Sequence, residues 1–141
     1  MRAEAEGGDG NAMFDLGEWY YYEEMGLAKD YKQAASWYQC GDDLGHASCT
    51  ANLGSCYHLG NGVERDEAYA LCLYGIAAKG GSEDGCYYLA QCLAYGWNGL
   101  RKNARAATRW FRAMESATVR EAGDDARDAA AEWLREHAVD S

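Results

Sequence analysis

The strongest constraint on this 141-residue chain is that it repeats itself. Leu16-Gly17, Leu53-Gly54 and Leu89-Ala90 stand 37 and 36 residues apart. Ala34-x-x-Trp37-Tyr38, Ala70-x-x-Leu73-Tyr74 and Ala107-x-x-Trp110-Phe111 follow at offsets of 36 and 37. Asp30, Asp66 and Asn103 keep step, as do Gly26-Leu27, Gly62-Val63 and Gly99-Leu100. Gly45 and Gly81 close the first two units and Ala117 closes the third. A period of roughly 20–50 residues marks a chain built by stacking one supersecondary unit, each burying its apolar face against its neighbours.

Each unit reads as two helices. Ala47, Ala51, Gly54 and Tyr57/His58 recur at i, i+4 and i+7, the stripe of one helical face, with Cys49, Leu53, Cys56 and Gly60 alongside. The turn Gly60-Asn-Gly-Val63 follows, and Asp66 reads as an N-cap or first-turn acid. The second helix continues through Ala70, Leu73, Tyr74, Ala77 and Ala78 to a Gly80-Gly81 stop. The spacing predicts first helices over 10–24, 46–59 and 82–95, and second helices over 30–43, 66–79 and 103–116. A chain with 17 glycines and no proline suits helices joined by glycine turns. Gly17, Gly54 and Ala90 fall inside helices, where glycine costs about 0.5–1 kcal/mol relative to alanine. The missing side chains would let the partner helix come close and seat Trp37, Leu73 or Trp110 as a knob.

After Ala117 the period breaks. Asp124, Asp125 and Asp128 open a further helix with Ala126, Ala129, Ala130, Trp133 and Leu134 on one face and Arg127, Glu132 and Glu136 on the other. Acid at its start and Arg135 near its end suit the macrodipole. It reads as a cap over the last repeat. The expected organisation is a loose acidic segment over 1–9, three repeats over 10–44, 45–80 and 81–117, and a capping helix with a tail over 118–141. The fold class is all-α.

Charge narrows the function. Thirteen basic against 23 acidic residues give −10, a field that repels a phosphate backbone and argues against nucleic acid as a partner. Residues 1–70 hold 4 basic and 13 acidic groups, residues 71–141 hold 9 and 10. No apolar run approaches the roughly 18 residues of a membrane span, and no signal or transit segment is visible at the start, so a protein without membrane insertion is expected, cytoplasmic, or organellar if a presequence was removed. His46, His58 and His137 lie on separate elements with no nucleophile or phosphate-loop arrangement around them. Cys-x-x-Cys is absent. Neither catalysis, a metal nor a cofactor is expected. The cysteines at 40, 49, 56, 72, 86 and 92 read as free thiols packed as small apolar groups.

The pattern Ala-x-x-x-Leu-Gly-x-x-Tyr, then Gly-x-Gly-Val-x-x-Asp, then Ala-x-x-Trp-Tyr, resembles the Sel-one-like repeat (SLR) family, relatives of tetratricopeptide repeats. The second unit matches best, through Cys49 in the alanine slot, Leu53-Gly54-x-x-Tyr57, Gly60-Asn-Gly62-Val63, Asp66 and Ala70. The first matches through Ala12, Leu16-Gly17, Tyr20, Asp30, Ala34 and Trp37-Tyr38. The third diverges, with Ala90 for the glycine, Leu93 for the tyrosine and an extra residue between Gly96 and Gly99. The resemblance covers about residues 10–117. It implies a right-handed α–α superhelix of three helix pairs plus the capping helix, and a protein–protein interaction role as adaptor or scaffold subunit. The partner would be a peptide or helix of a larger complex. Cysteine-rich secreted members of the family carry a helix-linking disulfide in each unit and are associated with β-lactam binding and hydrolysis, which is the alternative the resemblance allows. Cys40 and Cys49 would then be the bridged pair, but Ile76 and Gly85 take their slots in the next repeat.

By the same resemblance the first helices line the inner surface. The stripe two before, two after and five after the leucine comprises Phe14, Glu18 and Tyr21, then Ala51, Ser55 and His58, then Tyr87, Gln91 and Ala94. Aromatic and amide groups there could grip a partner segment, although Phe14 and Tyr87 also suit an interhelical core. Trp19-Tyr20-Tyr21-Tyr22 spans more than one helical face, so at least one of the four must be exposed or covered by a partner; the run leans toward a built-in subunit over a free adaptor, and Trp19 joins the candidate contact residues. Arg101, Arg105, Arg109 and Arg112 form a basic stripe. It reads as a solvated outer face, or as a docking surface for the acidic half of another copy in weak self-association.

Overall fold

The second helix of every unit starts on one repeated device. Asp30, Asp66 and Asn103 have extended backbone with φ near −150°, −148° and −145°, and each side-chain Oδ1 accepts the N–H three residues on, at 3.1, 3.0 and 3.0 Å. This satisfies one orphan donor of the first turn. The backbone N–H of the same three residues donates back to the preceding helix, at Tyr20 O (3.0 Å), Tyr57 O (2.9 Å) and Leu93 O (2.7 Å). Cap and turn are thereby one unit, which fixes where the second helix leaves the first. The first helices are capped by three different side chains, Asp9, His46 and Ser82. They end at Glu23, Gly60 and Gly96, all in the left-handed region with φ of 57°, 74° and 73°.

The computed structural model describes residues 5, 7–97, 99–117 and 123–137. Its helices are α1 (Gly10–Tyr22), α2 (Tyr31–Asp43), α3 (Ala47–Leu59), α4 (Glu67–Lys79), α5 (Glu83–Tyr95), α6 (Ala104–Ala113) and α7 (Asp124–His137), with a 3-10 turn at Met114–Ser116 after α6. No strand interrupts the order among the described residues. Each helix packs on its neighbours in sequence, and the first helices α1, α3 and α5 also touch one another in a row. This is an α–α solenoid of three helix pairs closed by a C-terminal helix.

The helix glycines sit where the pairs cross. A Cβ on Gly17 would lie 2.3 Å from Cε1 of Tyr38, and one on Gly54 would lie 2.9 Å from Cε1 of Tyr74. The seated knobs are therefore Tyr38 and Tyr74, each only 1% exposed, and not Trp37 or Leu73 as the spacing suggested. In the third unit the buried ring is likewise Phe111, at 3% exposed, while Trp110 is only half-buried against the core. The register slips by one because two large apolar residues stand side by side in each unit, and only one points at the glycine.

Contacts between units show a reciprocal fit. At the α2–α3 crossing a Cβ on Gly41 would lie 2.2 Å from Sγ and 2.6 Å from Cβ of Cys49. At the equivalent α4–α5 crossing, 36 residues on, Ala77 faces Gly85, whose added Cβ would lie 2.9 Å from that of Ala77. Each crossing has room for one side chain. The buried residues form three clusters that follow the chain: one around Ala12, Met13 and Leu16, one around Tyr38, Leu53 and Leu73, and one around Ala90, Phe111 and Met114.

The expected loose segment 1–9 lies partly outside the described residues. Of those described, Ala5 is fully buried in the first cluster, and Asp9 accepts the N–H groups of Asn11 and Ala12. At the other end Ala130, Trp133 and Leu134 of α7 lie on Phe111 and Met114. Arg127 does not point outward as the face assignment had it. It reaches the fully buried carboxylate of Glu83, with Nε 2.9 Å from Oε2 and Nη2 2.9 Å from Oε1. Ala129, assigned to the inner face, is exposed instead. The remainder of the expected 118–141 segment, at 118–122 and 138–141, lies outside the described residues.

Candidate functional site

The row of first helices forms one wall of a cleft of about 480 Å³. Phe14, Glu18, Tyr21 and Tyr22 reach it from α1, Asn52, Ser55, His58 and Leu59 from α3, and Asp84 and Tyr88 from α5. Tyr38 and Tyr74 arrive from the second helices behind. The absent side chains of Gly17 and Gly54 are what let these two rings pass between the first helices, so the helix-crossing device also furnishes the cleft.

At its centre the Glu18 carboxylate accepts the Tyr38 hydroxyl at 2.6 Å and the Asn52 amide at 2.8 Å, both on Oε1. Loss of solvent raises the Glu18 pKa, an effect these two hydrogen bonds only partly offset. The same burial, together with the Glu18 charge, pushes the Tyr38 phenol far above its ordinary range. Tyr22 is 58% exposed, yet partial burial and the nearby Glu18, Tyr21, Tyr88 and Asp84 push its phenol to about 12. The Tyr74 and Tyr88 rings stack at 4.8 Å and 23°, and the Tyr74 hydroxyl lies 3.3 Å from Ser55 Oγ. His58 buries its Nδ1 without a hydrogen-bond partner among the described residues. Among the described residues neither lysine nor arginine lines the cleft.

Of the residues expected on the inner stripe, Phe14, Glu18, Tyr21, Ser55 and His58 meet in this cleft. Tyr21 is also engaged by its own chain, its hydroxyl accepting the Asn61 amide at 2.7 Å. Trp19 turns away and packs with Ala12, Met13 and Leu16. Tyr87 does not line the cleft: its ring lies 6.3 Å from Phe111, and Gln91 Nε2 donates to its hydroxyl at 2.8 Å. Ala51 and Ala94 are buried. The third unit presents Asp84 and Tyr88 where Tyr87 and Gln91 were expected: Tyr88 holds the slot that Asn52 holds 36 residues earlier, and Tyr87 holds that of the buried Ala51. Tyr22, Tyr38, Asn52, Leu59 and Tyr74 were missed as well. For Tyr38 and Tyr74 the signal existed: an aromatic ring recurs at that slot in all three units, whereas the residue before it is aromatic in two.

Arg101, Arg105, Arg109 and Arg112 are all exposed, the first in the turn before α6 and the others along it. Arg120, at the end of the same basic stretch, lies outside the described residues. All six cysteines are free thiols, and Cys49 packs its Sγ toward Gly41 and 3.9 Å from the Gly10 carbonyl. Burial pushes the Cys49 and Cys56 thiols up to about 12. Among the described residues no three His, Cys, Asp or Glu side chains stand together as a metal site, and no helix is long and apolar enough to cross a membrane.

Comparison with known proteins gives a consistent result. The profile of the family described as Sel1 repeat matches residues 10–46, 47–82 and 83–114. No curated protein matches the chain. Among solved structures, a Sel1 repeat protein from Oxalobacter formigenes is similar over 96% of this chain and 61% of its own length, with a TM-score of 0.74 at 23% identity. A protective antigen present in uropathogenic Escherichia coli strains, which displays an SLR fold, is similar over 97% of this chain and 32% of its own, with a TM-score of 0.75 at 26% identity. The chain therefore spans about three-fifths and one-third of the lengths of these two proteins.

Proposed function

The chain belongs to the Sel1 repeat family, and on that premise we propose that it is a non-catalytic adaptor that holds a segment of a partner protein in the cleft on its concave face. The single observation that carries this reading is the cleft itself. It is built by all three repeats, walled by tyrosines, and lined by the polar side chains of Glu18, Asn52 and Ser55. Rigid aromatic side chains around polar groups are what peptide-binding surfaces use. Between a free adaptor and a fixed structural subunit, the Trp19–Tyr22 run favours the adaptor. Trp19, Tyr20 and Tyr21 are half-buried against their own chain, which leaves only Tyr22 of the four open to solvent. Nothing in the cleft favours the hydrolase alternative.

Photo-crosslinking in the native lysate tests the assignment. A benzophenone amino acid replaces Tyr22 at the cleft rim in one variant and Ile76, 58% exposed on α4, in another. A partner adduct from position 22 that is absent from position 76 is the expected result. Adducts confined to position 76 would remove the concave face as the binding surface.

A further inference from the structure

Two of the buried or half-buried carboxylates among the described residues, Glu83 and Glu18, are treated in opposite ways. Glu83 receives a bidentate guanidinium from Arg127, the geometry that best compensates a carboxylate taken out of water. Glu18 receives two neutral donors on one oxygen, Oε1, and no cation. Its second oxygen has no donor among the described residues, and none of their lysines or arginines lines the cleft around it. A desolvated carboxylate without a counter-charge is unfavourable unless something else supplies one.

The rest of the cleft selects the form of that cation. Tyr22 and Tyr88 present aromatic rings, whose faces attract a flat, weakly hydrated cation. Asn52 and Ser55 line the same wall with side-chain oxygens that can accept hydrogen bonds. A guanidinium carries five donors in one plane and can serve several such acceptors at once. The chain's own arginines at 105, 109 and 112 project, exposed, from α6 of the third repeat, and none lines the cleft.

We infer that the cleft is a receptor for an arginine side chain carried by a basic segment of a partner protein, with Glu18 as its anionic floor and Tyr22 and Tyr88 as its walls. The inference rests on the reading of the cleft as the partner-binding face and adds the chemistry of what enters it. The acidic balance of the first half of the chain, 4 basic against 13 acidic groups, steers such a segment toward the same region.

The test uses N-acetyl-arginine N-methylamide as the probe and its citrulline counterpart, which has nearly the same shape without the charge. Both are titrated into the ¹⁵N-labelled full chain and followed by NMR. The arginine probe is expected to give saturable shifts confined to amides at Glu18, Tyr22, Asp84 and Tyr88, with the citrulline probe about tenfold weaker. Glu18→Gln keeps the oxygen that Tyr38 and Asn52 donate to, so the fold persists while the preference for arginine disappears. Glu64→Gln, an exposed acid in the α3–α4 turn, leaves the preference intact. Equal binding of the two probes, or arginine binding indifferent to Glu18→Gln, overturns the assignment. The two readings fail separately. A partner adduct from position 22 that survives Glu18→Gln keeps the concave-face reading and removes the arginine receptor. If sedimentation instead shows a dimer that Glu18→Gln and Arg105→Ala both dissociate, the arginine belongs to a second copy, and the foreign partner is excluded.

Discussion

The reciprocal fit at the two inter-repeat crossings makes a sharp thermodynamic prediction. A Cβ added at Gly41 would lie 2.2 Å from Sγ and 2.6 Å from Cβ of Cys49, a fully buried residue with no room to retreat. Overpacking of this kind costs about 1–3 kcal/mol, and at such short distances the upper part of that range applies. Replacing glycine by alanine inside a helix returns about 1 kcal/mol. Gly41→Ala alone is therefore expected to destabilise by about 2 kcal/mol. Cys49→Gly reproduces on α3 what Gly85 provides on α5, and in that background the added methyl takes the place that Ala77 holds opposite Gly85. There the propensity gain stands unopposed, and Gly41→Ala stabilises by about 1 kcal/mol. The coupling is then about 3 kcal/mol, at the top of the range for residues in direct contact. Urea unfolding of the four proteins, followed by circular dichroism, measures it, and thermal midpoints should show Gly41→Ala lowering Tm by about 5–8 °C in the parent and raising it in the Cys49→Gly background. An effect of Gly41→Ala with the same sign and size in both backgrounds, within about 0.5 kcal/mol, would refute the close-approach argument.

Other expectations are as direct. Glu23 holds the left-handed C-cap with φ of 57° that Gly60 and Gly96 hold in the other units, so Glu23→Gly should stabilise by about 1 kcal/mol, and a lowered Tm would refute the strain. Glu18 has a raised native pKa, so its ionised form penalises folding above that pKa and the penalty vanishes as pH falls below the unfolded value of 4.5. Glu18→Gln should consequently be more stable than the parent at neutral pH, with an advantage that shrinks on acidification; an advantage independent of pH would contradict the desolvation. Of the six thiols, Cys40 and Cys72 are exposed and the other four buried, so a disulfide reagent at pH 8 should consume two rapidly and four only in urea. Arg127→Ala should release α7, seen as rapid proteolysis near residue 123 while residues 10–114 resist; unchanged protection would show that the ion pair does not hold the helix.

Much of the fold was legible because its devices are local. The acid or amide at 30, 66 and 103, the glycine turns and the 3.6-residue apolar stripe all act within a few positions, and they placed the repeat helices within about three residues of where they lie. What was not legible depends on pairs that are far apart. Tyr38 meets Gly17, and not its neighbour Trp37, through a crossing angle that a helical stripe does not encode. Tyr87, in the slot of the buried Ala51, lies against Phe111 24 positions later, and its neighbour Tyr88, in the slot of Asn52, lines the cleft. The ion pair of Glu83 with Arg127 spans 44 positions, and Arg127 read alone looked like any solvent-facing helix charge. The cleft was thus half visible: Asn52 and Tyr88 stand one position after the stripe counted from the leucine, and α5 contributes only its first half.

The pairing of Arg127 with Glu83 also limits how this chain can change length in evolution. The slot that Glu83 fills, the opening residue of a first helix, is Gly10 in the first unit and Ala47 in the second. Only the third unit carries the complementary acid. Duplicating the second unit would yield a longer array that still terminates correctly, since the acid and its arginine would travel together. Deleting the third would strand the terminator without a seat, and so the acceptable editing points of the gene lie upstream of residue 83.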